Sequence, residues 1–529
     1  SSQCKRFPVR KGISRARPAD LFLVLKTVTT KVKTIMPTIE KYVILQTIAQ
    51  IEATAEYEQS RLEDFLMMKE YALMQDPKRF LILGGRGTGK TRLFYTFTQE
   101  TGFREILCKD SLSGLSSSNA RSLKGHDETQ DFPSPDVLDQ YADDKNARAY
   151  WAGNLLFVLL HSLKDDAEFQ FILETCLTNE EEKKFIQIGL LKYPNKWLNY
   201  IQSHSEFWED IFLKINAYLR QKNEWIFISY DFLDRLTIGY NNLFPFIRML
   251  LSFWFAHDRR WDHIRCKIFL RNDLYESELL NFMDASKLNN HIIRLEWDTL
   301  SLYRLFIKRL ANANNQETFE YLHLVPKLIS TDKNTVLGYI PTQQKSLVEQ
   351  FIDKMIGHYM GKSPKQGISY QWMPNHLQDA KGALAPRSFL KCFSIAATQM
   401  LSHSLAIDRL EEERLILPSM IQSALVSVSE DRVAELKEEY PWLDKLRIML
   451  QGLTMLVSRD AFLDRIDLNQ WTSEERKRLP SQSVQGIFQI LGKLGIIFIV
   501  SDGRINMPEI YLHGFGVKRK GGLSRKVED

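Results

Sequence analysis

Residues 79–91 read Arg79-Phe80-Leu81-Ile82-Leu83-Gly84-Gly85-Arg86-Gly87-Thr88-Gly89-Lys90-Thr91, an apolar run that breaks into glycines. The run has the length and continuity of a strand buried on both faces, as in a parallel sheet. Residues 84–91 satisfy the pattern GxxxxGK[ST]. Glycines let such a backbone curl until its N–H groups converge on phosphate oxygens, and the helix that follows adds the positive end of its dipole. Lys90 is then placed to reach β- and γ-phosphates, and the Thr91 hydroxyl to bind magnesium. The context this requires is present, an apolar strand before the glycines and a helical pattern over residues 92–99 after them. Gly84, Gly85, Arg86, Gly87, Thr88, Gly89, Lys90 and Thr91 are therefore the expected binding residues for Mg-ATP.

Such a loop needs a second acidic group at the end of another buried strand to position the metal. Residues 225–231, Trp-Ile-Phe-Ile-Ser-Tyr-Asp, supply one in Asp231. A carboxylate ending an apolar strand is costly unless paired or bound to a cation, which favours a metal role with Thr91. Position 232, where many ATPases carry a catalytic acid, is Phe232. Asp234 lies three residues beyond Asp231 and could activate water, with pairing to Arg235 or another arginine as the alternative. Arg271 and Asn272 end a further apolar run, where a polar side chain can sense the γ-phosphate; Arg387 opens a later helix and could reach back to the nucleotide. Arg309 is a weaker candidate for an arginine acting across an oligomer interface.

Outward from these motifs, apolar runs at residues 224–230, 266–270 and 291–295 alternate with helical patterns, giving a parallel sheet with helices on both faces. Residues 111–135, rich in Ser, Asp and Gly, read as an exposed or disordered loop. Helical patterning resumes over 147–163, 168–191 and 207–220. Beyond Trp297 it continues over 300–311, 344–359, 386–401, 410–426 and 431–450. A helix at 483–494 is followed by two short strands around Ser501-Asp502-Gly503, which suggests a winged helix. The expected division is residues 1–40, a basic arm; 41–300, a P-loop NTPase core with a helical insertion at about 111–220; 301–455, an α-helical lid; and 456–529, a winged-helix domain with a basic tail.

A chain of 529 residues exceeds one ordinary core, and 44% hydrophobic with 26% charged residues is the balance of a globular protein. No stretch approaches the roughly 20 apolar residues of a membrane helix. No signal-peptide pattern opens the chain, so a cytoplasmic location is expected. Five scattered cysteines without a CxxC pair argue against a disulfide framework and against structural zinc. His257 and His263 read as surface residues, and Trp197, Tyr200, Phe207 and Trp208 as core. The net charge of +5 does not by itself call for nucleic acid.

Together these motifs resemble the AAA+-like branch of P-loop ATPases, particularly the STAND and KAP groups. Residues 230–236, Tyr-Asp-Phe-Leu-Asp-Arg-Leu, look like their second acidic motif, with Phe232 in place of an acid. Residues 267–273, the Gly382 to Pro386-Arg387 segment, and the ending at 508–522 resemble a bacterial P-loop ATPase family often found in defence loci. The resemblance implies an ATP-controlled switch or oligomerising machine, a homo-oligomer with its output to a partner protein or, through the winged helix and basic tails, to DNA, and antiviral defence as its setting. A DNA-acting motor or loader, and a scaffold that binds ATP without hydrolysing it, are the alternatives.

Overall fold

The computed structural model describes residues 38–51, 61–107, 115–189, 191–277, 280–281, 285–411, 413–477 and 479–519. Five strands, β1 (Leu81–Gly84), β2 (Ala120–His126), β3 (Trp225–Tyr230), β4 (Ile264–Arg271) and β5 (Ile292–Arg294), form a parallel sheet in the order β2-β3-β4-β1-β5. In β1, β3 and β4 successive side chains alternate between two apolar cores. Leu81, Leu83, Ile226, Ile228, Ile268 and Leu270 enter one, while Ile82, Phe227 and Phe269 enter the other. Burial on both faces is why these strands read as continuous apolar runs.

Helix α1 (Thr38–Ala49) precedes the sheet, and α2 (Lys90–Thr98) follows the glycine loop onto one face. The opposite face is covered by α3 (Asp144–Ser162), α4 (Ser205–Lys222) and α5 (Leu243–His257). After β5 the chain is predominantly helical, through α6 (Thr299–Ala311), α7 (Pro386–Leu401), α8 (Pro418–Glu439) and α9 (Trp442–Leu450). Nearer the end, α10 (Val484–Lys493) leads into an antiparallel pair, β7 (Phe498–Ile499) and β8 (Ile505–Asn506); β6 (Thr454–Met455) and β9 (Lys518–Arg519) pair in parallel. The architecture is an α/β P-loop NTPase fold followed by an all-α region.

Several sequence expectations need correction. Residues 120–126, inside the stretch read as a loop, form β2, paired along β3 from Ala120 with Trp225 to His126 with Tyr230. It is an edge strand whose first five residues are only half-buried, so it carries Arg, Ser and Lys where an apolar run would mark an inner strand. The inserted helices therefore begin after β2. Residues 111–114 of that stretch lie outside the described residues, as do 1–37 and 520–529, and with them most of the basic arm and tail. The break expected between residues 426 and 431 is absent, because α8 runs through it and the helix yields at Tyr440-Pro441 instead. His257 and His263 are buried, stacked on Trp261 and Trp225 with ring centroids 4.2 and 4.4 Å apart. The described residues contain no cluster of metal-binding type. Trp197 and Trp208 are core, as expected.

Candidate nucleotide-binding site

Parallel strands end at one edge of a sheet, which gathers polar residues there. Gly84 and Arg271, which end β1 and β4, are paired in register. The loop between β1 and α2 turns through Gly87 and Gly89, at φ +74° and +92°, where a side chain is strained. A Cβ on Gly84 would lie 2.5 Å from the Thr88 Oγ1. That hydroxyl instead donates to the Gly85 carbonyl at 2.8 Å. Lys90 Nζ donates to the carbonyls of Gly84 and Gly85 at 3.0 and 2.7 Å, so its ammonium lies folded on its own loop. Burial, aided by the charge of Arg271, lowers its pKa to about 8.

Asp231 follows β3 and is buried. The Thr91 hydroxyl hydrogen-bonds to its carboxylate, and burial pushes its pKa up to about 7. Its Oδ2 is buried without a hydrogen-bond partner. An orphaned carboxylate oxygen beside a threonine hydroxyl, next to a lysine that opens a helix, is a donor set that fits Mg2+ with phosphate. Phe232 takes a left-handed conformation, φ +58°, and buries its ring against Phe94 and Tyr95 at 6.4 and 6.2 Å. Strain beside a buried carboxylate is common at functional sites. Asp234 lines the same cleft and pairs with Arg271 at 3.3 Å, while Arg235 pairs with Glu128 at 2.9 Å. The arginine partner of Asp234 is thus Arg271, not its neighbour. Arg271 also pairs with Asp273 at 2.7 Å, and the Asn272 Oδ1 beside it is buried without a partner.

Arg387, at the start of α7, lines this cleft and also a second one across the loop. The second is walled by Phe65, Leu66, Tyr71, Trp297, Leu305 and Leu390, and reaches Gly87, Lys90 and Thr91. Trp297 anchors that wall by donating from Nε1 to the Thr88 carbonyl at 2.8 Å. Arg309 borders this compartment and lies 3.7 Å from Asp64. The compartment had no sequence signal, since its walls come from four separate segments. The contacts of two arginines were also invisible in sequence. Arg86 pairs with Glu435 at 3.5 Å and with Glu438 at 3.4 Å, and also with Glu439; Arg387 pairs with Glu435 at 3.4 Å.

No family model and no curated relative matches the chain. Among solved structures it is similar to the ORC2 protein of Aeropyrum pernix, described in ADPNP-ADP complexes, at 9% identity and a TM-score of 0.27, covering 86% of this chain and 99% of that one. It is also similar to Cdc6p from Pyrobaculum aerophilum, at 11% identity and a TM-score of 0.27, covering 88% of this chain and 95% of that one.

Proposed function

We propose that the chain binds Mg-ATP at the C-terminal edge of its sheet and uses it as a conformational switch. The observation that carries the reading is the partnerless, buried Oδ2 of Asp231 beside Thr91 and Lys90, at the mouth of a glycine loop. Asp231 and Thr91 would hold Mg2+, which when bound supplies charge neutralisation between phosphate oxygens. Lys90 exchanges its two loop carbonyls for β- and γ-phosphate oxygens. The apolar compartment across the loop accepts the base, with Trp297, Leu305 and Leu390 as its walls. Asp234 orients water, and Arg271 and Arg387 meet the γ-phosphate from the sheet and from the helical region. With Phe232 turned into the core, no acid follows Asp231 directly, so slow turnover accords with a switch better than with a motor.

On this reading residues 301–455 are the lid, and α10 with β7 and β8 is a winged helix that contacts a partner protein. Homo-oligomer formation and a role in bacterial defence rest on the sequence resemblance, and a cytoplasmic location on the five scattered cysteines without a CxxC pair. No helix among the described residues is long and apolar enough to cross a membrane. A DNA-acting machine is less favoured, because α10 carries a single basic residue, Lys493. Titration calorimetry with Mg-ATP tests the proposal. Lys90→Ala should weaken binding at least 100-fold, since charge-assisted hydrogen bonds contribute about 1.5–3 kcal/mol each. Wild-type affinity in that variant refutes the site. DNA-stimulated, salt-sensitive turnover would favour the second reading.

A further inference from the structure

Helix α8 ends on three carboxylates, Glu435, Glu438 and Glu439. Anionic side chains in a last turn meet the negative end of the helix dipole and repel one another, a local cost of about 0.3–1 kcal/mol each. Lys437 in the same turn and Arg432, 3.5 Å from Glu435, offset part of this, and further compensating charges come from the phosphate site. Arg86 belongs to the glycine loop, yet its guanidinium reaches all three carboxylates and also donates to the Glu435 carbonyl at 3.0 Å. Arg271, at the end of β4, pairs with Glu439 as well as with Asp273, and Arg387 pairs with Glu435. Glu439 itself lines the phosphate cleft. Glu435 and Glu439 are mostly buried in these contacts, with side chains 22% and 17% exposed, whereas Glu438 is 72% exposed. The contact continues into the next residue, where the Tyr440 hydroxyl bonds to Asp273 and accepts from Arg271 at 3.3 Å.

Guanidinium groups bind carboxylate and phosphate oxygens with the same forked geometry, so the two compete for one arginine. We propose that Glu435 and Glu439 are an internal surrogate for the γ-phosphate. They latch the end of α8 onto the core through Arg86, Arg271 and Arg387, and these arginines exchange them for the γ-phosphate when a nucleoside triphosphate binds. The latch rests on the ATP reading of the site and adds its regulation. It makes the end of α8, and α9 through Tyr440, the segment that reports which nucleotide is present. A diphosphate, which lacks the γ-phosphate, leaves the latch in place.

The test uses the full chain with Glu435→Gln and Glu439→Gln combined, which keeps side-chain shape and removes charge, and Glu430→Gln, exposed on the same helix, as the control. The probes are Mg-ATPγS and Mg-ADP by titration calorimetry, with hydrogen exchange followed over residues 418–450. The double variant should bind ATPγS about tenfold more tightly, the scale of one partly buried charge pair, and ADP with a smaller change. The Glu430 control should match the wild type. In the wild type, ATPγS but not ADP should raise exchange in residues 418–450, and the double variant should exchange fast there without nucleotide. Because the wild-type exchange experiment needs no variant, a double variant that fails to fold leaves the proposal open to refutation. Wild-type binding of ATPγS with unaltered exchange in 418–450, or with equal or weaker affinity in the folded double variant, overturns the latch alone. Failure of the wild type to bind either nucleotide overturns the site reading and the latch with it.

Discussion

Asp231→Asn separates what the candidate site does for binding from what it costs the fold. The wild-type carboxylate is 4% exposed and leaves one oxygen without a partner. An unpartnered buried polar group costs about 1–3 kcal/mol, and more when it is charged. Asparagine keeps an acceptor for the Thr91 hydroxyl and replaces the charge by a neutral amide, which is cheaper to bury. Lys90 is not orphaned by the change, because it retains the Gly84 and Gly85 carbonyls. The nucleotide-free variant should therefore be more stable than wild type by about 1–2 kcal/mol. For a domain of 150–250 residues that raises Tm by about 2–8 °C. Mg-ATP should reverse the order. At a ligand concentration of about 100 Kd the wild type gains about 2.7 kcal/mol, and the variant loses the part of that gain that depends on magnesium. Thermal melts in EDTA, in ATP alone and in Mg-ATP read all three terms. A variant that melts below wild type without nucleotide, or that keeps the full magnesium-dependent rise, refutes the assignment of Asp231.

Two further expectations test other parts of the molecule. Leu305→Trp fills the apolar compartment and should weaken ATP at least tenfold while leaving inorganic tripolyphosphate unchanged, measured by competition against a labelled nucleotide; equal losses for both ligands would remove the base from that cleft. Buried His126 has its pKa lowered by desolvation from 6.5 to about 4, with its Nδ1 unpartnered. Its folded value lies below the unfolded one, so the stability it contributes is full above pH 6.5 and is lost as pH falls toward 4. The loss is on the order of 3 kcal/mol at 1.36 kcal/mol per pH unit. Denaturant melts at pH 7 and pH 4.5 should show a drop that is smaller in His126→Gln, and identical pH dependence in the two proteins would remove His126 as its source.

How much of this was legible in the sequence follows from what each residue's role depends on. Inner strands β1, β3 and β4 are buried on both faces, so composition alone marks them, and their ends carry Gly84, Asp231 and Arg271. Edge strand β2 needs only half its surface covered and satisfies its backbone through β3, which leaves no apolar signature over residues 120–126. The pairing of Asp234 was legible as a need for an arginine, but Arg235 points to Glu128, and only the adjacency of β3 and β4 supplies Arg271.

By itself the sequence determined the glycine loop at residues 84–91, the acidic strand end at Asp231 and the parallel α/β class. Each depends on neighbours a few residues away, through glycine backbone freedom, strand periodicity and the cost of burying a charge. Tertiary structure decided the rest. The apolar compartment joins residues 65, 297, 305 and 390, and the acidic end of α8 lies some 350 residues from Arg86 in sequence, at separations of 349 to 353. No local pattern encodes such contacts, because they arise only when the helices after β5 fold back over the edge of the sheet and bring a carboxylate-rich helix end to the arginines there.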